Sequence, residues 1–172
     1  MNRRKAIREE EIKMEPNTDA NGIADRVREQ SPETSNKEID RETEGRLIRY
    51  ASMSTEEMSR RIEELEREWD MERLLETNAS ALTVGAMAAF AATGSRKWLF
   101  VPGVVMSFFF QHAVQGWCPP VPVFRRAGVR TRQEIERERY ALKVLRGDFD
   151  GAGDQDGEAA ARTEKALSAV RG

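Results

Sequence analysis

The chain has 172 residues, 34% of them charged and 39% hydrophobic, with a formal net charge of -2 and a mean hydropathy of -0.67. So polar a balance does not build one well-packed globule of this length, and the charge excludes a strongly basic nucleic-acid binder. One cysteine and one histidine exclude an intramolecular disulfide, a paired-cysteine redox site and a zinc centre, so no metal or cofactor is expected.

The apolar residues are concentrated, and the chain reads as all-α: a two-helix transmembrane hairpin flanked by amphipathic helices and a disordered N-terminal tail. The N-terminus begins basic at Arg3, Arg4 and Lys5 but turns acidic at Glu9 to Glu11, where a secretion signal would need an apolar run. Residues 1–53 read as the polar tail, because Ile7, Ile12, Ile23, Val27 and Ile39 are isolated apolar residues that do not offset the entropy of ordering.

Residues 54–76 read as an acidic amphipathic helix. Ser54 and Glu57 form a capping-box pattern at its start, and Met58, Ile62, Leu65 and Trp69 follow at helical spacing. Nine acids against four arginines argue against lying on an anionic membrane surface, and for a protein partner.

The hairpin is expected over residues 77–124. No charged side chain occurs from Thr77 to Ser95, and none from Trp98 to Phe124 apart from the ionisable His112. Trp98 to Trp117 spans 20 residues, about 30 Å as a helix, with a tryptophan at each end where the bilayer interface favours one. The first arm is poorer in large apolar residues. It is expected to insert with the second through the turn Gly94-Ser95-Arg96-Lys97, with Gly94 as a left-handed helix stop. The small-residue row Thr77, Ala81, Gly85, Ala89 and Thr93 is expected to face Gly103, Ser107, Gln111 and Gln115, placing the two amides near Asn78.

Residues 125–147 read as a basic segment and helix. Eight basic residues stand against three glutamates, with Ile135, Leu142 and Leu145 on one stripe and a start near Thr131. Opposite charge and two apolar stripes place the acidic and basic helices against each other or against those of a second subunit, in a homo-oligomer; otherwise they stay solvated. Arg125, Arg126, Arg130 and Arg132 are candidates for contact with anionic lipid headgroups. Residues 148–172 read as a flexible tail with a short exposed helix from Glu158 to Val170.

Basic residues number four in the 20 positions before Thr77, two in the turn and seven in the 20 after Phe124. The positive-inside rule then puts both termini in the cytoplasm. The stretch Gly116-Trp117-Cys118-Pro119-Pro120, followed by Phe124-Arg125-Arg126-Ala127-Gly128-Val129-Arg130-Thr131, resembles the closing signature of the DUF2892, or YgaP-like, two-helix transmembrane family. The resemblance implies a multi-pass protein of the bacterial inner membrane and no known reaction. The run Pro119-Pro120-Val121-Pro122 and the long charged arms depart from the family pattern.

The only weak catalytic candidate is Cys118, whose pKa the Arg125-Arg126 pair would lower. His112 stands almost two turns earlier, out of line as its base, and is expected to be a packing residue hydrogen-bonded with Gln111 and Gln115. The function expected is a non-enzymatic membrane anchor or scaffold acting through its cytoplasmic helices. The alternatives are a thiol- or persulfide-handling membrane protein using Cys118, and an oligomeric channel.

Overall fold

The computed structural model describes residues 25–150 and 159–171. Among them there is no strand, and the fold is all-α. The helices are α1 (Arg26–Glu29), α2 (Glu33–Tyr50), α3 (Thr55–Arg67), α4 (Met71–Thr93), α5 (Phe100–Gln115), α6 (Val121–Arg126), α7 (Arg132–Arg146) and α8 (Ala159–Arg171), with a 3-10 turn, Arg96–Leu99, leading into α5.

The expected tail from 1 to 53 is corrected over its described part, since residues 26–29 and 33–50 are helical; residues 1–24 lie outside the described residues. Local composition hides the reason, which is tertiary. Val27 is buried with Met71, Leu75, Cys118 and Val121. In α2, Ser35, Ile39 and Thr43 recur at four-residue spacing and are buried, so one apolar side chain and two small ones are enough to seat that face on α6 and α7.

The acidic helix begins as its sequence predicts: Glu57 N–H donates to Ser54 Oγ at 3.3 Å and Ser54 N–H donates to Glu57 Oε2 at 3.0 Å. It does not run to residue 76. The backbone turns extended at Glu68, and Asp70 caps a new helix by accepting from Arg73 N–H at 2.8 Å. Trp69 therefore falls in a break, half-exposed, with the Arg73 guanidinium 4.5 Å from its ring centroid. Helix α4 then continues without interruption across the expected boundary at residue 77.

The oppositely charged helices pack against each other within one chain. Ile62 and Leu65 of α3 meet Ile135 and Leu142 of α7, with Leu47 and Tyr50 of α2 at the edge. A second capping box, Thr131 with Glu134, opens α7; Leu145 stays half-exposed. The short exposed helix expected in the C-terminal tail is present as α8, and the buried Lys143 ammonium donates to the Val170 carbonyl at 2.6 Å. Residues 151–158 lie outside the described residues.

Helix α4 ends at Gly94 in the left-handed region (φ 66°) and lies alongside α5. The contact face is not the small-residue row. Ala79 and Ala86 are the buried residues of the apolar half of α4, whereas a Cβ on Gly85 or Gly103 would meet nothing within 4 Å. Met71 and Leu75, locked in the core, set the rotation of α4, and Ala79 continues their four-residue row. The amides bond within their own helices: Asn78 donates to the Leu74 carbonyl at 2.8 Å, and Gln111 donates to Gln115 at 3.4 Å.

Candidate functional site

The chemistry is concentrated below α5, where α1, α2, α3, α6 and α7 converge. The face of α7 that carries Ile135 and Leu142 also carries Thr131, Glu134 and Glu138, all buried. Two carboxylates at core positions require counter-charges, because an unpaired buried carboxylate is strongly unfavourable. Arg125 donates to both oxygens of Glu134 at 2.6 and 2.8 Å, and Arg28 donates to the same carboxylate at 2.6 Å. Arg125 is further held by the Asn36 amide oxygen at 2.6 Å and the Val129 carbonyl at 3.1 Å.

One turn later, Glu138 is fully buried and receives three arginines. Arg46 approaches at 3.1–3.2 Å, Arg61 at 3.1 Å, and Arg130 closes the third side. Arg130 also grips Glu68 with bonds of 2.8 and 2.5 Å, which explains why α3 stops there. Burial alone would raise both glutamates. Hydrogen bonds and charge from Arg125 and Arg28 at Glu134, and from Arg46, Arg130 and Arg61 at Glu138, outweigh it and hold both below the ordinary carboxylate range.

Composition did not point to these glutamates as a pair. The usable signal was positional: Thr131, Glu134, Ile135, Glu138 and Leu142 fall on one helical face, so two acids stood where the stripe demanded core. Of the four arginines expected at lipid headgroups, Arg125 and Arg130 are buried in the ion cluster, while Arg126 and Arg132 remain exposed.

Cys118 is buried in the cluster of Val27, Met71, Leu75 and Val121. Its thiol is pushed up by that burial, the reverse of the lowering expected from the arginine pair, because Arg125 is turned onto Glu134. His112 is 92% buried and packs beside Phe109, with ring centroids 6.5 Å apart. It is not bonded to the glutamines, which pair with each other, and its Nδ1 has no partner.

His112 lines a cavity of about 480 Å³ between the end of α5, the first turns of α4 and the start of α7. Asp25, Arg26, Glu72, Glu76 and Phe109 share its wall. Burial raises the Glu72 carboxyl above its ordinary value, and Asp70 and Asp25 add to the shift. Among the described residues no group of three His, Cys, Asp or Glu side chains is placed to hold a metal ion.

No known family, no characterised protein and no solved structure matches the chain. Among the described residues one helical segment, Arg96–Gln115, is long and apolar enough to cross a membrane, with 20 residues and a mean hydropathy of 1.2.

Proposed function

We propose that the protein is a small membrane anchor, in which α4 and α5 enter the bilayer as a hairpin and the ion-clustered helices below form a rigid cytoplasmic platform for a protein partner. The observation that carries this reading is the contrast along α5: only 6% of its most apolar window is buried, with Phe100 77% and Phe110 71% exposed, in a chain whose charged helices are packed together. An apolar surface of that kind needs lipid or protein against it. The apolar half of α4, Thr77 to Thr93, carries no charge, and its pairing with α5 supports insertion of the two together.

The basic counts of four, two and seven support cytoplasmic termini and a turn on the far side, in a multi-pass inner-membrane arrangement. The likeness of Gly116 to Thr131 to the DUF2892 signature belongs to the same proposal. Exposed Arg126 is the group best suited to meet anionic headgroups, since Arg132, also exposed, pairs with Glu136 at 2.6 Å.

Carbonate extraction of membranes tests the anchor: the protein should stay in the pellet, and recovery of most of it in the supernatant would overturn the reading. Cys118 is a poor topology reporter because it is buried. Ser95→Cys in a Cys118→Ser background places a thiol in the turn, and an impermeant maleimide should label it in intact cells.

A further inference from the structure

The cavity beneath α5 is mixed in charge, but its charged groups are not equally free. Arg26 donates from Nη1 to the carbonyls of Ala113 and Val114, at 2.8 and 3.1 Å, and so closes the C-terminal end of α5. The Arg132 guanidinium, also on the wall, is paired with Glu136 at 2.6 Å. Asp25 accepts from the Arg28 N–H at 3.0 Å through one oxygen and from the Thr131 hydroxyl through the other. Arg132 is thus neutralised by Glu136 and both Asp25 oxygens are occupied, while Arg26, bonded to neutral carbonyls, keeps a charge that Glu72 and Glu76 outnumber on the wall.

The buried side-chain atoms without a partner on this wall are a carboxylate oxygen and an imidazole nitrogen. Glu72 has a buried Oε2 with no partner, His112 has a buried Nδ1 with no partner, and Glu76 forms no ion pair among the described residues. Two orphaned buried polar atoms on one wall are costly, since each lacks the hydrogen bond that water would have supplied. A neutral imidazole offers one acceptor nitrogen, and a carboxylate offers only acceptors. The complementary ligand is a cation with several N–H donors.

We propose that this cavity binds a primary ammonium group, with Glu72, Glu76 and His112 accepting its three N–H bonds and Phe109 forming an apolar wall for the adjoining carbon chain. A divalent metal ion fits less well, because no three of these side chains are grouped closely enough to ligate one, whereas an ammonium is held through longer hydrogen bonds. The inference does not rest on the membrane reading. The ammonium can come from an ethanolamine phospholipid headgroup, because the cavity opens where α5 ends, or from a soluble amine.

The test uses the full chain purified in detergent. Calorimetric titration compares ethanolamine with choline, whose bulkier trimethylammonium keeps the charge but has no N–H, and with monomethyl-ethanolamine and dimethyl-ethanolamine, which remove the N–H groups stepwise. Native mass spectrometry compares retention of phosphatidylethanolamine with phosphatidylcholine from nanodiscs of matched acyl chains. Preference for the primary ammonium in either experiment supports the site, with the first identifying a soluble amine and the second a lipid headgroup. Glu72→Gln should weaken the preferred ligand about tenfold or more. If that variant does not fold, Glu76→Gln, at an exposed position, should weaken the same ligand by a smaller factor. Equal binding of choline and ethanolamine species, no binding of any of them, or unchanged affinity in the folded carboxamide variants would overturn the proposal.

Discussion

Helix α4 belongs to two different environments, and the change occurs within a few turns. Its first residues, Met71 and Leu75, are locked into a core with Val27, Cys118 and Val121, beside a cluster in which five arginines surround two buried glutamates. Past Ala79 the same helix exposes Leu82, Val84 and Met87, and its neighbour α5 exposes Phe100, Val104 and Phe110. The lower region is specified by directional, charge-assisted bonds among its own residues. The upper one has apolar surface in search of a solvent that matches it. The comparison teaches that polarity of sequence is no guide to order here: the charged region is the densely bonded one.

The sharpest way to break the contrast is to remove one carboxylate from the lower region and one aromatic ring from the upper. Glu138→Ala leaves Arg46, Arg61 and Arg130 facing a buried void, and breaking such a cluster costs about 3–5 kcal/mol. Phe100→Ala removes a side chain that the chain itself barely covers, so in detergent it should cost well under about 1 kcal/mol. Thermal unfolding of the two variants checks the pair; equal losses would mean that α5 is covered by protein rather than lipid.

A pH titration of unfolding probes the same cluster without mutation. Glu134 and Glu138 have folded-state pKa values below their unfolded ones. Their stabilisation is therefore complete above the unfolded value, about 4.3, and is lost as pH falls from there through the lowered folded values. Glu72 has the opposite sign. Its folded pKa is raised by burial, so its contribution is present at acid pH and lost as pH rises through that value. The melting temperature should fall steeply on the acid side, and Glu138→Gln should flatten part of that fall. An acid limb unchanged by the variant would remove the cluster from the account.

How much of this was legible follows from the range of each interaction. The capping box at Ser54, the helix start near Thr131 and the glycine stop at Gly94 are local, set by residues within one turn, and the structure has all three. The stripe Met58, Ile62, Leu65 and the pair Ile135, Leu142 were legible as periodicity, but the burial of Ile62 and Leu65 against Ile135 and Leu142 in one chain was only one of the arrangements that opposite charge allowed. Helix α2 was not legible, because Asn36 and Arg46 find Arg125 and Glu138 about ninety positions away. Nor was the rotation of α4: a row of small residues states that close packing is possible, while Met71 and Leu75 decide which face receives it. The cavity was hidden for a similar reason, since Glu72 and His112 meet only after three elements converge.

The two left-handed glycines that close α4 and α5 sharpen the comparison at single positions. Gly116 has φ 77°, and a Cβ there would lie 2.5 Å from Arg26 Cβ and 2.6 Å from the Arg26 carbonyl carbon. Gly94 has φ 66° and open space around it. Gly94→Ala should therefore cost only the backbone strain, about 1 kcal/mol. Gly116→Ala adds a collision with main chain that no rotamer relieves, for a total of about 2–4 kcal/mol. Parallel melting curves would show the gap, and similar costs would place Arg26 elsewhere than against the end of α5.

The smallest effect expected concerns the outward face of α4. Gly85 sits in mid-helix with nothing within 4 Å of a Cβ built on it. In a monomer, Gly85→Ala therefore meets no clash and gains helix propensity, raising stability by about 0.5–1 kcal/mol. If a second copy packs its backbone against the row Thr77, Ala81, Gly85, the same methyl group holds the helices apart and stability falls. Melting at high and low protein-to-detergent ratio distinguishes the cases. A rise at both ratios is the outcome expected from a face turned to lipid; a fall that grows as the protein is concentrated would make that face a subunit contact.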